Sequence, residues 1–194
     1  MEFVLASQNK NKAVEIENIL GEGFSIITMD ETKAKGLDII EDGETFEENA
    51  LIKARTVAKI TNLPTIADDS GLCVEYLGGA PGVYTARYAG EGATDDANID
   101  KLLGALMGVP EEKRGAYFAC AIAVVFPDGE EKTFFGKCDG RILEERRGAN
   151  GFGYDPIFFA FEYNMSMAEI PMEEKNKISH RSRALSEMMK GLKD

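Results

Sequence analysis

The chain has 194 residues, and its 22 lysines and arginines against 34 aspartates and glutamates give a formal net charge of −12. Nucleic acids are held largely by basic side chains paired with phosphate, so this balance argues against a nucleic-acid partner. With 44% hydrophobic and 29% charged residues, the composition is that of a globular protein, and the length predicts a single domain over residues 1–194.

No stretch approaches the roughly 18 apolar residues that span a bilayer, so no membrane partner is expected. Residues 1–6 are too few and too acidic for the apolar region of a secretion signal, which predicts a cytoplasmic protein. The three cysteines, Cys73, Cys120 and Cys138, are odd in number and lack CxxC spacing. We therefore expect neither a disulfide framework nor a zinc site.

The N-terminal segment predicts a strand, a polar turn and a helix. Residues 3–6 are apolar, residues 7–12 are polar with two lysines, and apolar residues then follow at helical spacing up to Leu20. Free backbone amides and the positive dipole end favour phosphate at such a helix start. An ordinary helix cap explains the same pattern.

A second strand is predicted over residues 24–29 and a second helix over residues 46–62. Thr45 and Glu48 have the spacing of a capping box at the start of this helix, and the Leu63-Pro64 pair ends it. The acidic loop over residues 38–44 comes before it and contains Glu41, which could supply a metal ligand. Runs of this kind are more often solvated surface.

The strongest local signal for chemistry is a pair of adjacent carboxylates. Residues 64–67 predict a buried strand that ends at a turn, Asp68-Asp69-Ser70-Gly71, and residues 72–77 predict a separate strand. Neighbouring carboxylates repel each other unless a cation or a proton intervenes, so the pair suits Mg²⁺ binding and activation of a water. The alternative is that both aspartates cap a turn.

The rest of the chain mixes helices with strands and hairpins. Residues 116–126 are apolar in both alternating sets, as in a central strand. This mixture predicts an α/β fold around a mixed sheet. The other predicted features are a helix over 94–107, a hairpin into a strand over 132–138, a glycine-rich loop over 147–153, a strand over 157–159 and a helix over 182–192.

Two segments near the C-terminus combine groups that could bind a nucleobase. Residues 150–156 interleave glycine with aromatics, so Phe152 or Tyr154 could offer a flat face for stacking. A structural loop whose aromatics belong to the core fits equally well. The single histidine, His180, stands beside Arg181, and their donors suit a carbonyl-bearing base edge or a phosphate. A lone histidine is more often structural.

Together these motifs resemble the inosine triphosphate pyrophosphatase family, also called the HAM1-like nucleoside triphosphate pyrophosphatases. The matching segments occur in the right order along almost the whole chain: residues 5–12, 46–50 with 53–54, 67–72, 77–88, 151–158, and 174–175 with 179–181. This co-occurrence is far more specific than any one of the motifs.

The resemblance implies Mg²⁺-dependent hydrolysis of deaminated purine nucleoside triphosphates (ITP, dITP and XTP) to the monophosphate and pyrophosphate, which cleanses the nucleotide pool. It also implies an elongated mixed sheet flanked by helices, two lobes with a central cleft, and a homodimer. The alternatives are a pyrophosphatase with broad or modified-pyrimidine specificity, and a nucleotide sensor without turnover.

The same resemblance implies a role for each candidate residue. Asp69 is the expected general base and a metal ligand, and Glu41 and Asp68 are the other expected metal-binding carboxylates. The expected triphosphate-binding residues are Ser7, Gln8, Asn9, Lys10, Asn11, Lys12 and Lys53, with Ser70 also touching substrate. The expected base pocket comprises Phe152, Gly153, Tyr154, Asp155, Lys175, His180 and Arg181.

Overall fold

Seven strands form one mixed β-sheet in the computed structural model, which describes residues 1–21 and 23–192. They are β1 (Glu2–Leu5), β2 (Ser25–Thr28), β3 (Thr65–Val74), β4 (Gly115–Val125), β5 (Glu131–Ile142), β6 (Phe158–Ala160) and β7 (Met165–Ser166). Their order across the sheet is β2-β1-β3-β4-β5-β6-β7. β1 is parallel to both β2 and β3, whereas β6 is antiparallel to both β5 and β7. The predicted α/β fold around a mixed sheet is confirmed.

The described part of the chain also forms five α-helices: α1 (Lys10–Leu20), α2 (Phe46–Thr61), α3 (Asp95–Ala105), α4 (Met172–Ile178) and α5 (His180–Gly191). The capping box predicted for α2 is present, because Thr45 accepts from the Glu48 amide and the Glu48 side chain accepts from the Thr45 amide. None of these helices combines the length and the apolar character that crossing a membrane needs.

The chain divides into two compact units. Unit 1 comprises Met1–Asp69, Cys120–Gly136 and Arg181–Asp194, and unit 2 comprises Ser70–Ala119 and Lys137–His180. Unit 1 has an apolar cluster on each face of its strands, one beneath α2 and the other beneath α1 and α5. Unit 2 has its own cluster, to which α3, β6 and the loop before β6 contribute. The central cleft and the single functional domain stay predictions.

The main departure from the sequence prediction is β3. It runs without a break from Thr65 to Val74, so the predicted turn at residues 68–71 and the separate strand over 72–77 are wrong. Aspartate and glycine favour turns when they are exposed, but nine of the ten residues of β3 are buried and only Ser70 is partly exposed. Charged partners from other elements keep the two aspartates in the strand, as described below.

Two other predicted elements differ in extent. β5 continues to Ile142 rather than ending at residue 138, because its exposed face carries charged residues that interrupt the apolar pattern while alternate residues stay buried. α4 was not predicted, because its seven residues include one buried apolar side chain, that of Ile178. The last helix starts at His180, two residues earlier than predicted. The central-strand prediction for residues 116–126 is confirmed by β4.

Candidate active site

Asp68 and Asp69 are consecutive residues of β3, so their side chains point to opposite faces of the sheet. Ile66 has the same parity as Asp68 and belongs to the cluster beneath α1 and α5. Ala67 has the same parity as Asp69 and belongs to the cluster beneath α2. The two carboxylates therefore lie in different surroundings within unit 1, although they are adjacent in sequence.

Asp68 is fully buried and ion-paired to two cations. Lys12 Nζ of α1 lies 3.2 Å from Asp68 Oδ2, and Arg181 of α5 donates to the same oxygen through Nη2 at 3.1 Å and Nε at 3.3 Å. Burial raises the pKa of the Asp68 carboxyl, but the charges of Lys12, Arg181 and Lys53 outweigh burial and hold the pKa well below its usual range. Asp68 is therefore ionised at neutral pH.

Glu15 completes this group and was missed by the sequence analysis. Its carboxylate accepts from Nη1 of Arg181, and both side chains are almost fully buried. Glu15 follows Lys12 by three positions on α1, which places both on one face of the helix. The sequence signal that could have identified Glu15 is its position directly before Ile16, beside the face of α1 that packs on the core. A carboxylate at such a position needs a buried partner.

Asp69 faces α2 and meets Lys53. Lys53 Nζ lies 3.1 Å from Asp69 Oδ1 and 2.7 Å from Glu41 Oε2, so one ammonium bridges two carboxylates. The other oxygen, Asp69 Oδ2, is buried and has no hydrogen-bond partner among the described residues. Burial raises the pKa of Asp69 to about 6 and Glu41 adds to the rise, although Lys53 and Lys12 oppose it. A carboxyl group titrating near neutrality, with one available oxygen, is suited to general-base chemistry.

The predicted phosphate-binding turn forms the start of α1. Asn9 is the N-cap, and its side-chain oxygen accepts from the amides of Asn11 at 3.0 Å and Lys12 at 3.2 Å. Ser7 Oγ accepts from the Asn9 amide at 3.2 Å. The helix start is therefore capped by its own side chains, as the alternative interpretation expected, while the Lys12 ammonium reaches Asp68.

Gln8 connects this turn to the acidic loop. Its Nε2 donates to the carbonyl oxygen of Leu37 at 3.0 Å, in the segment that leads to Glu41. Lys10, the first residue of α1, is exposed. Within unit 1 the structure brings Lys12 to Asp68 on one face of β3, and Lys53 with Glu41 to Asp69 on the other.

The predicted metal ligands do not form one cluster. In residues 1–21 and 23–192, no three acidic, histidine or cysteine side chains are grouped so that they could hold a metal ion. Asp68 is on the far face of the sheet, and Lys53 bridges Glu41 and Asp69. Mg²⁺ in nucleotide-processing sites typically takes one or two carboxylates and completes its shell with water and phosphate oxygens. Glu41 and Asp69, through the two oxygens that Lys53 bridges, fit this smaller requirement and leave Asp69 Oδ2 for the base.

Unit 2 contains a second buried ion pair, made by residues of the predicted base pocket. Lys175 Nζ of α4 lies 2.8 Å from Asp155 Oδ2, and each side chain is 5% exposed. The amide of Phe152 donates to the same oxygen at 3.0 Å. Lys175 Nζ also lies 4.9 Å from the centre of the half-buried Phe152 ring. This arrangement places an aromatic face beside a buried cation.

The other predicted base-pocket residues are held by the protein itself. Tyr154 belongs to the core of unit 2 and donates from its hydroxyl to the carbonyl oxygen of Thr85 at 2.8 Å. Phe152 is therefore the partly exposed member of the two candidate stacking aromatics. His180 is buried and stacks on Phe118, with ring centres 4.9 Å apart.

The chain is similar to known proteins over almost its whole length. The model of the Ham1 family matches residues 3–191. The dITP/XTP pyrophosphatase of Desulfotalea psychrophila is 52% identical over 187 residues, which cover 96% of this chain and 82% of the relative. The dITP/XTP pyrophosphatase of Bacillus subtilis is 49% identical over 190 residues, 97% of this chain and 96% of the relative.

Solved structures of Ham1 proteins have the same fold as this chain. A Ham1 protein from Staphylococcus aureus has a TM-score of 0.89 and 42% identity, covering 100% of this chain and 98% of its own. A HAM1 protein from Coxiella burnetii has a TM-score of 0.90 and 44% identity, with the same coverage of each chain.

Proposed function

Since this chain belongs to the Ham1 family, we propose that it hydrolyses the deaminated purine nucleoside triphosphates ITP, dITP and XTP to the monophosphate and pyrophosphate. The observation that carries the proposal is near-complete coverage at about half identity by relatives named for dITP and XTP. The charged residues of unit 1 are the chemical support for it.

Asp69 is the general base in this proposal. Its Oδ2 atom has no hydrogen-bond partner in the described part of the chain, so it is available to accept a proton from the attacking water. A pKa of about 6 leaves the carboxylate mostly deprotonated at neutral pH. It also makes the carboxylate basic enough to accept a proton from the attacking water. Asp68 stays negatively charged and orients Lys12 and Arg181 from the opposite face.

Charge neutralisation is the second requirement of phosphoryl transfer. Lys12 and Lys53 are the cations of unit 1 assigned to the phosphate oxygens. Glu41 and Asp69 are the residues that would hold Mg²⁺, which supplies further neutralisation of the phosphates. The Lys53 ammonium now balances both of these carboxylates, so a bound divalent cation would make that ammonium available to phosphate.

Base recognition is assigned to residues of unit 2. The ring of Phe152 offers a stacking face, and Lys175 and His180 offer donors. The 6-keto oxygen of hypoxanthine and xanthine accepts hydrogen bonds, whereas the 6-amino group of adenine donates them, so such donors disfavour adenine. Arg181, which the sequence placed in the base pocket, has its guanidinium bound to Asp68 and Glu15, so this proposal assigns it to that buried charge group rather than to the base.

The Mg²⁺ requirement, the homodimer, the cytoplasmic location and the single functional domain complete the proposal and rest on family membership. The Mg²⁺ requirement has the further support of the donor set of Glu41 and Asp69. Sedimentation equilibrium of the purified chain tests the dimer, since a mass near 21.2 kDa would contradict it.

The deciding experiment measures pyrophosphate release from ITP, XTP, dITP, ATP and GTP, with Mg²⁺ and after chelation, and identifies the co-product. We expect Mg²⁺-dependent release from the three deaminated substrates, with the monophosphate as co-product. Equal release from all five would contradict the substrate assignment and favour a broad hydrolase. Binding without release would indicate a sensor.

A further inference from the structure

The turn of unit 2 that carries Phe152 is held by a side chain with no part in the proposed chemistry. Asp95 Oδ2 accepts a hydrogen bond from the backbone amide of Gly153 at 2.8 Å. Asp95 is the first residue of α3, immediately after its N-cap, Thr94. It belongs to unit 2, as does the turn.

Phe152 lies between two backbone amides that are each bound by a carboxylate. Its own amide donates to Asp155 Oδ2 at 3.0 Å, and the next amide, that of Gly153, donates to Asp95. These two peptide groups determine the backbone dihedrals of Phe152, and the backbone in turn restricts the direction of its ring. The Asp155 side chain is buried, whereas that of Asp95 is exposed at the surface.

The glycines of the turn explain why both bonds are needed. Gly153 has φ +59° and Gly151 has φ +77°, which is the left-handed region that glycine enters at no steric cost. A Cβ at Gly151 would lie 2.0 Å from Asp155 Oδ2, so the chain there wraps closely around this carboxylate. Glycine restricts the backbone least of all residues, and hydrogen bonds must supply the restriction at Gly153.

A neighbouring contact is weaker. Arg146 Nη2 lies 2.8 Å from Asp100 Oδ1 and 3.3 Å from Asp96 Oδ1, which connects the start of the same loop to α3. The two aspartate side chains are 69% and 83% exposed, and ion pairs of this kind contribute little. Asp95 is exposed as well, but its partner is a backbone amide of the turn itself, so it makes the contact that acts directly on the turn.

We propose that Asp95 is a positioning residue for base recognition: by binding the Gly153 amide it fixes the orientation of the Phe152 ring. This inference rests on the proposed function, because Phe152 matters here as the residue that meets the base. Asp95 itself touches no substrate. Substituting Asp95 should therefore change KM and base selectivity rather than kcat.

The test compares Asp95→Ala with Asp95→Asn, because asparagine keeps an oxygen that can accept from Gly153. A single hydrogen bond corresponds to roughly a 3- to 10-fold effect on an equilibrium. We expect Asp95→Ala to raise KM for ITP about 3- to 10-fold, with kcat within about twofold, and to narrow the ratio of ITP to ATP efficiency. In Asp95→Asn, the KM for ITP and the ratio of ITP to ATP efficiency should both stay close to the wild-type values.

These two variants also separate positioning from helix stabilisation. Both remove the negative charge that favours the N-terminus of α3, so a purely helix-stabilising role predicts equal effects in both. Asp96→Ala is the matched control, since Asp96 is the next residue of the same turn of α3 and, in the described part of the chain, its side chain binds Arg146 rather than the Gly153 amide. A KM change in this control equal to that in Asp95→Ala would overturn the proposal, as would equal impairment of the Ala and Asn variants.

A measurement without turnover keeps this inference separate from the proposed function. Amide hydrogen exchange at Gly153, followed by NMR, should be faster in Asp95→Ala than in the wild type and unchanged in Asp96→Ala. Unchanged exchange in Asp95→Ala would overturn the positioning geometry, whatever the substrate. A wild-type protein that releases no pyrophosphate from ITP would instead overturn the proposed function.

Discussion

Replacing Asp68 by asparagine should destabilise the folded chain, because it removes the charge shared by two cations. The substitution leaves Arg181 and Lys12 facing a neutral amide, and removing one partner of a buried pair typically costs about 3–5 kcal/mol. Glu15 still pairs with Arg181, and the Lys12 side chain is 17% exposed and can be hydrated in part. We therefore expect a loss at the lower end, about 3 kcal/mol.

The same carboxylate gives this prediction a dependence on pH. The pKa of Asp68 in the folded chain is below its unfolded value of about 3.9. The carboxylate therefore stabilises the folded chain at every pH above about 4, and this contribution is lost as the pH falls further. The wild type should lose stability steeply over that acid range, and Asp68→Asn should lose less.

Urea unfolding followed by circular dichroism measures both effects, because the chain has no tryptophan to report by fluorescence. Asp96→Asn removes an exposed aspartate and serves as the control, with an expected change within about 0.5 kcal/mol. A loss of unfolding free energy below about 1 kcal/mol in Asp68→Asn would show that the ion pairs of Asp68 do not stabilise the fold. The same free energy changing equally with pH below about 4 in the variant and the wild type would show this too.

Four further outcomes follow from the site. Asp69→Asn should lower kcat by about 10²- to 10⁴-fold while ITP still binds in calorimetry, and wild-type turnover would remove Asp69 as the base. In the wild type, kcat/KM should fall as the pH drops below about 6, where Asp69 protonates, whereas a flat profile from pH 5 to 7 would contradict this. Lys175→Met removes the ammonium that pairs with Asp155 and should narrow the preference for ITP over ATP. An unchanged ratio would place base reading elsewhere. Tyr154→Phe removes the bond to Thr85 and should cost about 1 kcal/mol in urea unfolding with kcat unchanged, and a large loss of kcat would contradict a purely structural tyrosine.

The elements that the sequence predicted well are those whose signals are local. Thr45 and Glu48 are three positions apart, and their reciprocal bonds form within one helical turn, so the start of α2 was predictable. β4 was predictable because both of its alternating sets are apolar. In both cases the residues that determine the structure are neighbours in the chain.

β3 could not be predicted in the same way, because its aspartates are kept in the strand by distant residues. Arg181 is 113 positions away from Asp68, and Lys53 is 16 positions before Asp69. Propensity alone places Asp-Asp-Ser-Gly in a turn. The carboxylate pair was found from its local pattern and its expected roles from resemblance, whereas the division of its two members between the faces of the sheet required the structure.

The alternation of side chains along β3 limits which insertions and deletions this segment can accept. Inserting or deleting one residue between Ile66 and Asp68 would exchange the faces of the two aspartates, because side chains alternate along a strand. An insertion would leave Lys12 and Arg181 without the aspartate that they contact, and a deletion would put Ser70 where Asp69 meets Lys53. A change of two residues would keep each side chain on its face but displace it by about 7 Å along the strand from its partners. Function in this segment therefore depends on the register of β3 as much as on the identity of its side chains.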